Sequence, residues 1–343
     1  MLIGIILVVV FLSILILVHE LGHFLSAKKF GLLVEEFGIG LPPRIFGKKI
    51  GETIYSINWL PFGGFVKIYG ENGEDKSDKD VQSSKNFSFL PAWKRGVILF
   101  AGVFMNFLLG WLVVSLVFAM GAPESILITD VSSGGPAEVA GLESGDRIVS
   151  FAKIEEFQSF INENLGKEIT VRVEHLGEVS DFVLTPRVEI PEGEGPLGLV
   201  LIQAGFPKSG VVKSLADGFV FSVKMIGVIF QFLFDLISRA FVGKADFSQV
   251  AGPVGIVKIT YQAGAMGLIY ILQLLALISL NLTVLNILPF PALDGGRLLF
   301  LLIEKIKGSP LPLKFEKYAN AIGMLILIIL MIAITVKDVG GLI

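Results

Sequence analysis

From Met1 to Val18 the chain carries no charged side chain, and apart from one short polar pentapeptide its apolar character continues to the Lys28-Lys29 pair. About twenty apolar residues are enough to cross a bilayer as a helix, so residues 2–30 are predicted to form a membrane span. Comparable runs cover Gly96 to Met120, Leu268 to Leu288 and Ala319 to Val336. The second carries Ala101, Gly102 and Gly110, small residues that let helices approach closely. A further apolar stretch, Leu215 to Val242, is interrupted by Lys224, Asp235 and Arg239 and is expected to lie at or dip into the interface rather than cross. Between the first two runs the pattern changes to Gly- and Pro-punctuated segments. Thr53 to Ile57 and Phe65 to Tyr69 alternate apolar and polar residues around Leu60-Pro61-Phe62-Gly63-Gly64, which predicts a β-hairpin or small sheet. Glu71 to Asn86 is polar and charged, and a solvated loop is expected there. Residues 123–205 are charged, strand-rich and turn-punctuated, as befits a soluble domain of about eighty residues inserted between membrane segments.

The expected organisation is therefore a helix at 1–30, a cytoplasmic-side loop with the β element at 31–95, a second helix at 96–122 and the inserted domain at 123–205. Interfacial helices and a loop follow at 206–267, a third helix at 268–296, a cytoplasmic connection at 297–318, and a fourth helix with the tail at 319–343. The fold class is a polytopic α-helical membrane protein of about four spans. Composition agrees: 53% of the 343 residues are hydrophobic, 17% are charged, and mean hydropathy is +0.76. Residues 1–27 lack the basic start of a cleaved signal peptide, and their apolar run is too long for one, so a retained helix is expected. A net charge of −3 without a basic-aromatic stripe gives no sign of a nucleic-acid partner, and the absence of cysteine excludes disulfides, iron–sulfur clusters and a thiol nucleophile.

Lysine and arginine placement sets the expected orientation. The connection between the first two spans holds eleven of them, counting Lys28, Lys29, Lys94 and Arg95 at its edges. Arg297, Lys305, Lys307, Lys314 and Lys317 crowd another. Both should be cytoplasmic, which puts both termini and the inserted domain outside, in a multi-pass protein of a bacterial-type plasma membrane.

The pentapeptide His19-Glu20-Leu21-Gly22-His23 lies near the cytoplasmic end of the first span. On a helix, positions i and i+4 share a face, so His19 and His23 can offer two imidazole nitrogens to one Zn²⁺, with Glu20 placed as a base toward the attacking water. Two of the chain's three histidines are in this motif, and ionisable groups this close to hydrocarbon are functional by default. A third ligand is needed. The best candidate is Asp294, in Asn286-Ile287-Leu288-Pro289-Phe290-Pro291-Ala292-Leu293-Asp294-Gly295. Pro289 and Pro291 should break the third helix, and unwound backbone at membrane depth survives only where it is buried or lines a wet cavity. Asn286 can offer an amide donor to a substrate carbonyl. The bland alternative makes the segment a turn, with Asp294 capping a following helix over Gly295 to Lys307.

These paired motifs, with the insert between them, resemble the site-2 protease family, and within it most closely the bacterial sigma-E-type regulator proteases. The resemblance covers nearly the whole chain. It implies one Zn²⁺ per chain on His19, His23 and Asp294, with Glu20 as catalytic base. It further implies a membrane-associated hairpin around Pro61 to Phe65 that pairs with extended substrate, making Gly63, Gly64, Phe65, Val66 and Ile68 candidate substrate contacts beside Asn286. Ala251 to Ile256 would belong to the region after a PDZ-like domain. The insert fits one such domain, extracytoplasmic, where the best-known members carry two. Ser133 to Ala137 would lead into a short helix, Glu143 to Val149 would turn into a strand, and further strands would cover Glu168 to Glu174, Val179 to Leu184 and Leu197 to Ile202. Leu197, Gly198 and Leu199 would form a loop capturing a peptide C-terminus, unless the domain only packs over the protease. His175 is expected as an exposed turn residue.

The implied activity is regulated intramembrane proteolysis of single-span membrane proteins, such as anti-sigma factors or signal-peptide remnants, already trimmed outside. The partners are those substrates and the lipid bilayer, and the site faces the cytoplasmic side. Two other classes would leave different marks in the sequence. A zinc-binding transporter would show inverted repeats and a charged path across the membrane. A catalytically silent PDZ scaffold would have lost Glu20 or a ligand. Neither pattern is present.

Overall fold

A computed structural model describes residues 2–71, 85–175, 177–191, 194–244, 247 and 250–340. The polar loop expected around Glu71 to Asn86 falls largely outside them. The chain divides into two compact units: residues 1–114, 218–261 and 272–343, and residues 115–217 with 262–271.

In the first unit, helix α1 (Leu2–Lys29) is one uninterrupted apolar rod ending on Lys28 and Lys29, where cations meet the negative end of the helix dipole. Strands β1 (Val34–Ile50) and β2 (Thr53–Ile68) form a long antiparallel hairpin around Gly51-Glu52. This corrects the expected hairpin. Thr53 to Ile57 and Phe65 to Ile68 are not partners of each other but two ends of one strand. Both flank the same segment of β1, because Glu36 to Ile39 pairs with Ile54 to Ile57 and also with Gly64 to Lys67. Sharp bends made by repeated register shifts allow β2 to wrap around β1 in this way.

Helix α2 (Ala92–Met120) begins four residues before the expected start. Helices α7 (Leu268–Ile287), α8 (Asp294–Lys307) and α9 (Leu313–Gly340) follow α5 (Val211–Phe241) and α6 (Pro253–Met266). The expected break at the prolines is present: α7 stops at Ile287, and Ala292 takes a left-handed φ of 77° before α8 starts at Asp294. The Asn320 side chain accepts the Ala292 N–H at 2.9 Å, holding that turn.

A core of Ala27, Leu32, Val34, Ile68, Ile98 and Leu99 joins α1, both strands and α2. Helix α8 is tied to the same elements by charge. Arg95 Nη2 donates to the buried Glu304 at 2.9 Å, and Arg297, three residues after Asp294, pairs with Glu71 just past β2. Helix α5 packs its apolar face on α2 and α7 through Phe219 against Trp111 and through Ile229 against Leu280 and Val284. Five described helices are long and apolar enough to cross a membrane, α5 among them.

The second unit is built on a five-stranded sheet in the order β6-β5-β4-β3-β7, comprising β3 (Ala122–Val131), β4 (Arg147–Ile148), β5 (Ile169–His175), β6 (Glu178–Leu184) and β7 (Leu199–Phe206). Helix α3 (Pro136–Val139) is the short helix expected after Ser133, while α4 (Ile154–Glu163) and β3 had no individual prediction. The core is Ile126, Ile128, Ile148, Phe157, Val171 and their neighbours. The inward residues of β5 alternate strictly with exposed ones, which is why that strand was legible.

Candidate metal centre

Helix geometry brings His19 and His23 one turn apart on the same face of α1, and the break after α7 delivers Asp294 to them. The donor atoms converge: His19 Nε2 lies 2.9 Å from Asp294 Oδ2, His23 Nε2 lies 3.5 Å from it, and the two Nε2 atoms are 3.1 Å apart. Among the described residues this is the one cluster of three such side chains able to share an ion. Tetrahedral ligands around Zn²⁺ at ordinary bond lengths stand about 3.3 Å from one another, so the spacing suits that ion. Burial supports the fit. The three side chains are only 12%, 10% and 16% exposed, and Asp294 Oδ2 is turned toward the Nε2 atoms of both imidazoles, so the three donors face one shared point.

Two glycines make room. A Cβ at Gly22 would strike the α2 backbone at Ala101, and a Cβ at Gly102 would run into both imidazole rings. Helices α1 and α2 therefore meet backbone to backbone beside the site. From α2, the Ile98 carbonyl receives His23 Nδ1 at 2.8 Å, and the fully buried Asn106 places its side-chain amide 3.3 Å from His19 Nδ1. Sequence reasoning missed Asn106 and read Gly102 only as a residue for close helix packing. A lone amide in an apolar span was the available signal.

Glu20, the residue after His19 on α1, is held by β2. Its Oε2 accepts the backbone N–H of Val66 at 3.1 Å. Strand β2 runs along α1 to reach it: Ser13 Oγ donates to the Pro61 carbonyl at 2.8 Å, Gly63 lies against Ile16, and Gly64 lies near Leu17. Alternate residues of a strand turn their hydrogen-bonding groups to opposite sides, so the Val66 N–H belongs to the edge facing away from β1. Phe65 packs over Gly38, and the Ile68 side chain is buried in the core. Asn286 sits half-buried on the last turn of α7, with no recorded contact to the three-residue cluster.

In the second unit, Leu197 is buried, and Gly198, with φ of 72°, turns its N–H onto the Gly195 carbonyl at 3.0 Å. Leu199 opens β7, an edge strand, so the expected strand start at Leu197 is corrected by two residues. A cavity of about 170 Å³ lies between α4 and β7, lined by Phe157, Ile161, Leu197, Leu199 and Leu201 among others. His175 is exposed as expected, but it lies in a strand and not in the turn. It ends β5 and pairs with the buried carboxylate of Asp146, whose hydrogen bond holds the imidazole pKa above its ordinary value.

The profile of peptidase family M50 matches residues 7–330. The chain belongs to peptidase family M50. Among its relatives are a Clostridium perfringens protein, 34% identical over 95% of this chain and 96% of its own length, and the regulator of sigma-W protease RasP of Bacillus subtilis, 30% identical over 95% of each. The zinc metalloprotease RasP of Shouchella clausii is 30% identical over 96% of this chain and 97% of its own. This M50 member is a zinc metalloprotease, and its apolar helices together with its family membership support a multi-pass membrane protein.

Proposed function

We propose that this M50 peptidase cleaves peptide bonds in or near the transmembrane helix of single-span membrane proteins, with His19, His23 and Asp294 holding Zn²⁺ and Glu20 as the base. The convergence of three buried donor atoms at 2.9, 3.1 and 3.5 Å is the observation that carries this reading. Bound there, Zn²⁺ supplies Lewis-acid polarisation of the scissile carbonyl and acidifies the attacking water. The Glu20 carboxylate takes a proton from that water and returns it to the leaving amine. Asn286 offers its amide to the substrate carbonyl.

A membrane helix has no free backbone groups, so substrate must unwind before attack. The outward edge of β2 at Gly64, Val66 and Ile68 gives the unwound stretch a strand to join, and its Val66 N–H already faces Glu20. Phe65 contributes shape to the same strand, and Gly63 lets it lie close on α1.

The second unit is read as a PDZ-like domain spanning residues 123–205, on the extracytoplasmic side. The apolar channel between α4 and the edge strand β7 suits an added peptide strand whose C-terminus lies toward Leu197, Gly198 and Leu199. The name of the Bacillus subtilis relative, a regulator of sigma-W protease, supports substrates of the anti-sigma-factor kind. Full-length protein reconstituted with a panel of single-span substrates should cleave at least one of them, lose cleavage to a zinc chelator and regain it with Zn²⁺. Cleavage that persists in zinc-free protein would contradict the proposal.

A further inference from the structure

Asn106 is 0% exposed, lies on α2 one turn beyond the Gly102 that accommodates both imidazoles, and takes no part in the hydrolytic steps above. Its backbone carbonyl accepts the Ser279 hydroxyl at 2.8 Å, which locks α2 to α7 at this level. The side chain is arranged less comfortably. Nδ2 stands 3.3 Å from His19 Nδ1, while Oδ1 is buried with no hydrogen-bond partner.

The two histidines make a comparison possible within one site. An imidazole that gives its Nε2 lone pair to a metal carries its proton on Nδ1 and needs an acceptor there. His23 has one, the Ile98 carbonyl at 2.8 Å. For His19, the neighbour of Nδ1 among the described residues is the Asn106 amide nitrogen, and an NH₂ group cannot accept a hydrogen bond. Amide oxygen and nitrogen exchange places by a half-turn of the terminal torsion, and they are assigned from their neighbours. A half-turn at Asn106 puts Oδ1 opposite the Nδ1–H and gives the orphaned oxygen its donor.

From this geometry we infer that Asn106 is a positioning residue for the zinc site: its side-chain oxygen accepts the Nδ1–H of His19, fixing the tautomer and ring plane that direct Nε2 toward the metal. The inference rests on His19 being a zinc ligand. Asn106 touches neither substrate nor metal. Outer partners of metal-bound histidines are worth about 10–100-fold in metal affinity.

The test is zinc affinity of the full-length purified protein, measured by competition with a chelator of known strength, with thermal unfolding of the zinc-free forms recorded alongside. Asn106→Leu removes the acceptor at similar volume and should weaken zinc by about 10–100-fold. Asn106→Asp keeps an acceptor oxygen and should bind zinc closer to wild type than to Asn106→Leu. Asn106→Ala takes the place of Asn106→Leu if the latter does not fold. Wild-type affinity in the variant lacking the acceptor overturns the inference. So does an Asn106→Asp protein as weak as that variant, since the site then needs the amide's packing and not its oxygen. His19→Ala separates the two levels: if it too binds zinc as wild type does, the ligand assignment itself is wrong, whereas loss of zinc there with none at Asn106 rejects the positioning role alone.

Discussion

At Gly102 a single hydrogen in place of a methyl group decides whether the site can exist. A Cβ at this position would meet the rings of both His19 and His23, and neither ring can retreat while its outer nitrogen stays on α2. Gly102→Ala should therefore lower zinc affinity by about tenfold or more, the cost of displacing a held ligand. Gly110→Ala is the matched control. Its Cβ meets chiefly the flexible end of Leu280, so zinc affinity should stay at the wild-type value. Equal zinc affinity in the two variants, read by chelator competition, would show that Gly102 does not set the ring positions. The meeting of His19, His23 and Asp294 was legible in the sequence because side chains of that kind stand out in apolar runs. Gly102 was legible only as a small residue for helix packing, since nothing in a single sequence tells what a glycine faces.

Among the elements, β2 links the site to whatever is cleaved. Its Val66 N–H lies outside the β1 ladder and donates to Glu20, so proline there removes an edge donor and the contact with that carboxylate without breaking a hydrogen bond to β1. Val66→Pro should cut cleavage about tenfold more than Val66→Ala, the worth of one backbone hydrogen bond, with zinc content unchanged in both. Equal rates in the two variants would mean that substrate does not pair with this edge. Ile68 is a poorer place for the comparison, because alanine there also opens the core. The helices were readable from uniform apolar runs, and the break between α7 and α8 from Pro289 and Pro291. Strand β1 was not. Gly38, Gly40, Pro42 and Pro43 interrupt its alternation, and its outer half, exposed from Leu41 to Ile50, buries no face that a period of two could reveal.

For the whole molecule the governing constraint is direction. His19 and Asp294 both stand at the C-terminal ends of apolar runs, so α1 and α7 must cross the membrane the same way, with an odd number of crossings between them. In the proposed arrangement α2 is that one crossing and α5, though long and apolar enough to span, lies at the outer interface. Contacts in the first unit support that reading. Gly4 lies against Tyr261, about 15 residues and about 22 Å up α1 from His19. Asp338 accepts the N–H groups of Gly252 and Gly255 at 2.9 and 2.8 Å, about 22 Å along α9 from Gly323, which touches Pro291. The chain after α5 thus lies far from the metal-site end. Cysteines placed singly at the exposed Lys213 and Lys258 of this cysteine-free chain should both react with an impermeant thiol reagent from outside. Protection of Lys258→Cys alone would mean that α5 crosses. The most direct measurement of all compares zinc content and cleavage in Glu20→Gln and Asp294→Ala. Glu20→Gln should keep its zinc and lose cleavage by about 100-fold or more, because only the base is gone, while Asp294→Ala should lose both. Wild-type cleavage by Glu20→Gln, or unchanged zinc in Asp294→Ala, would contradict the assigned roles.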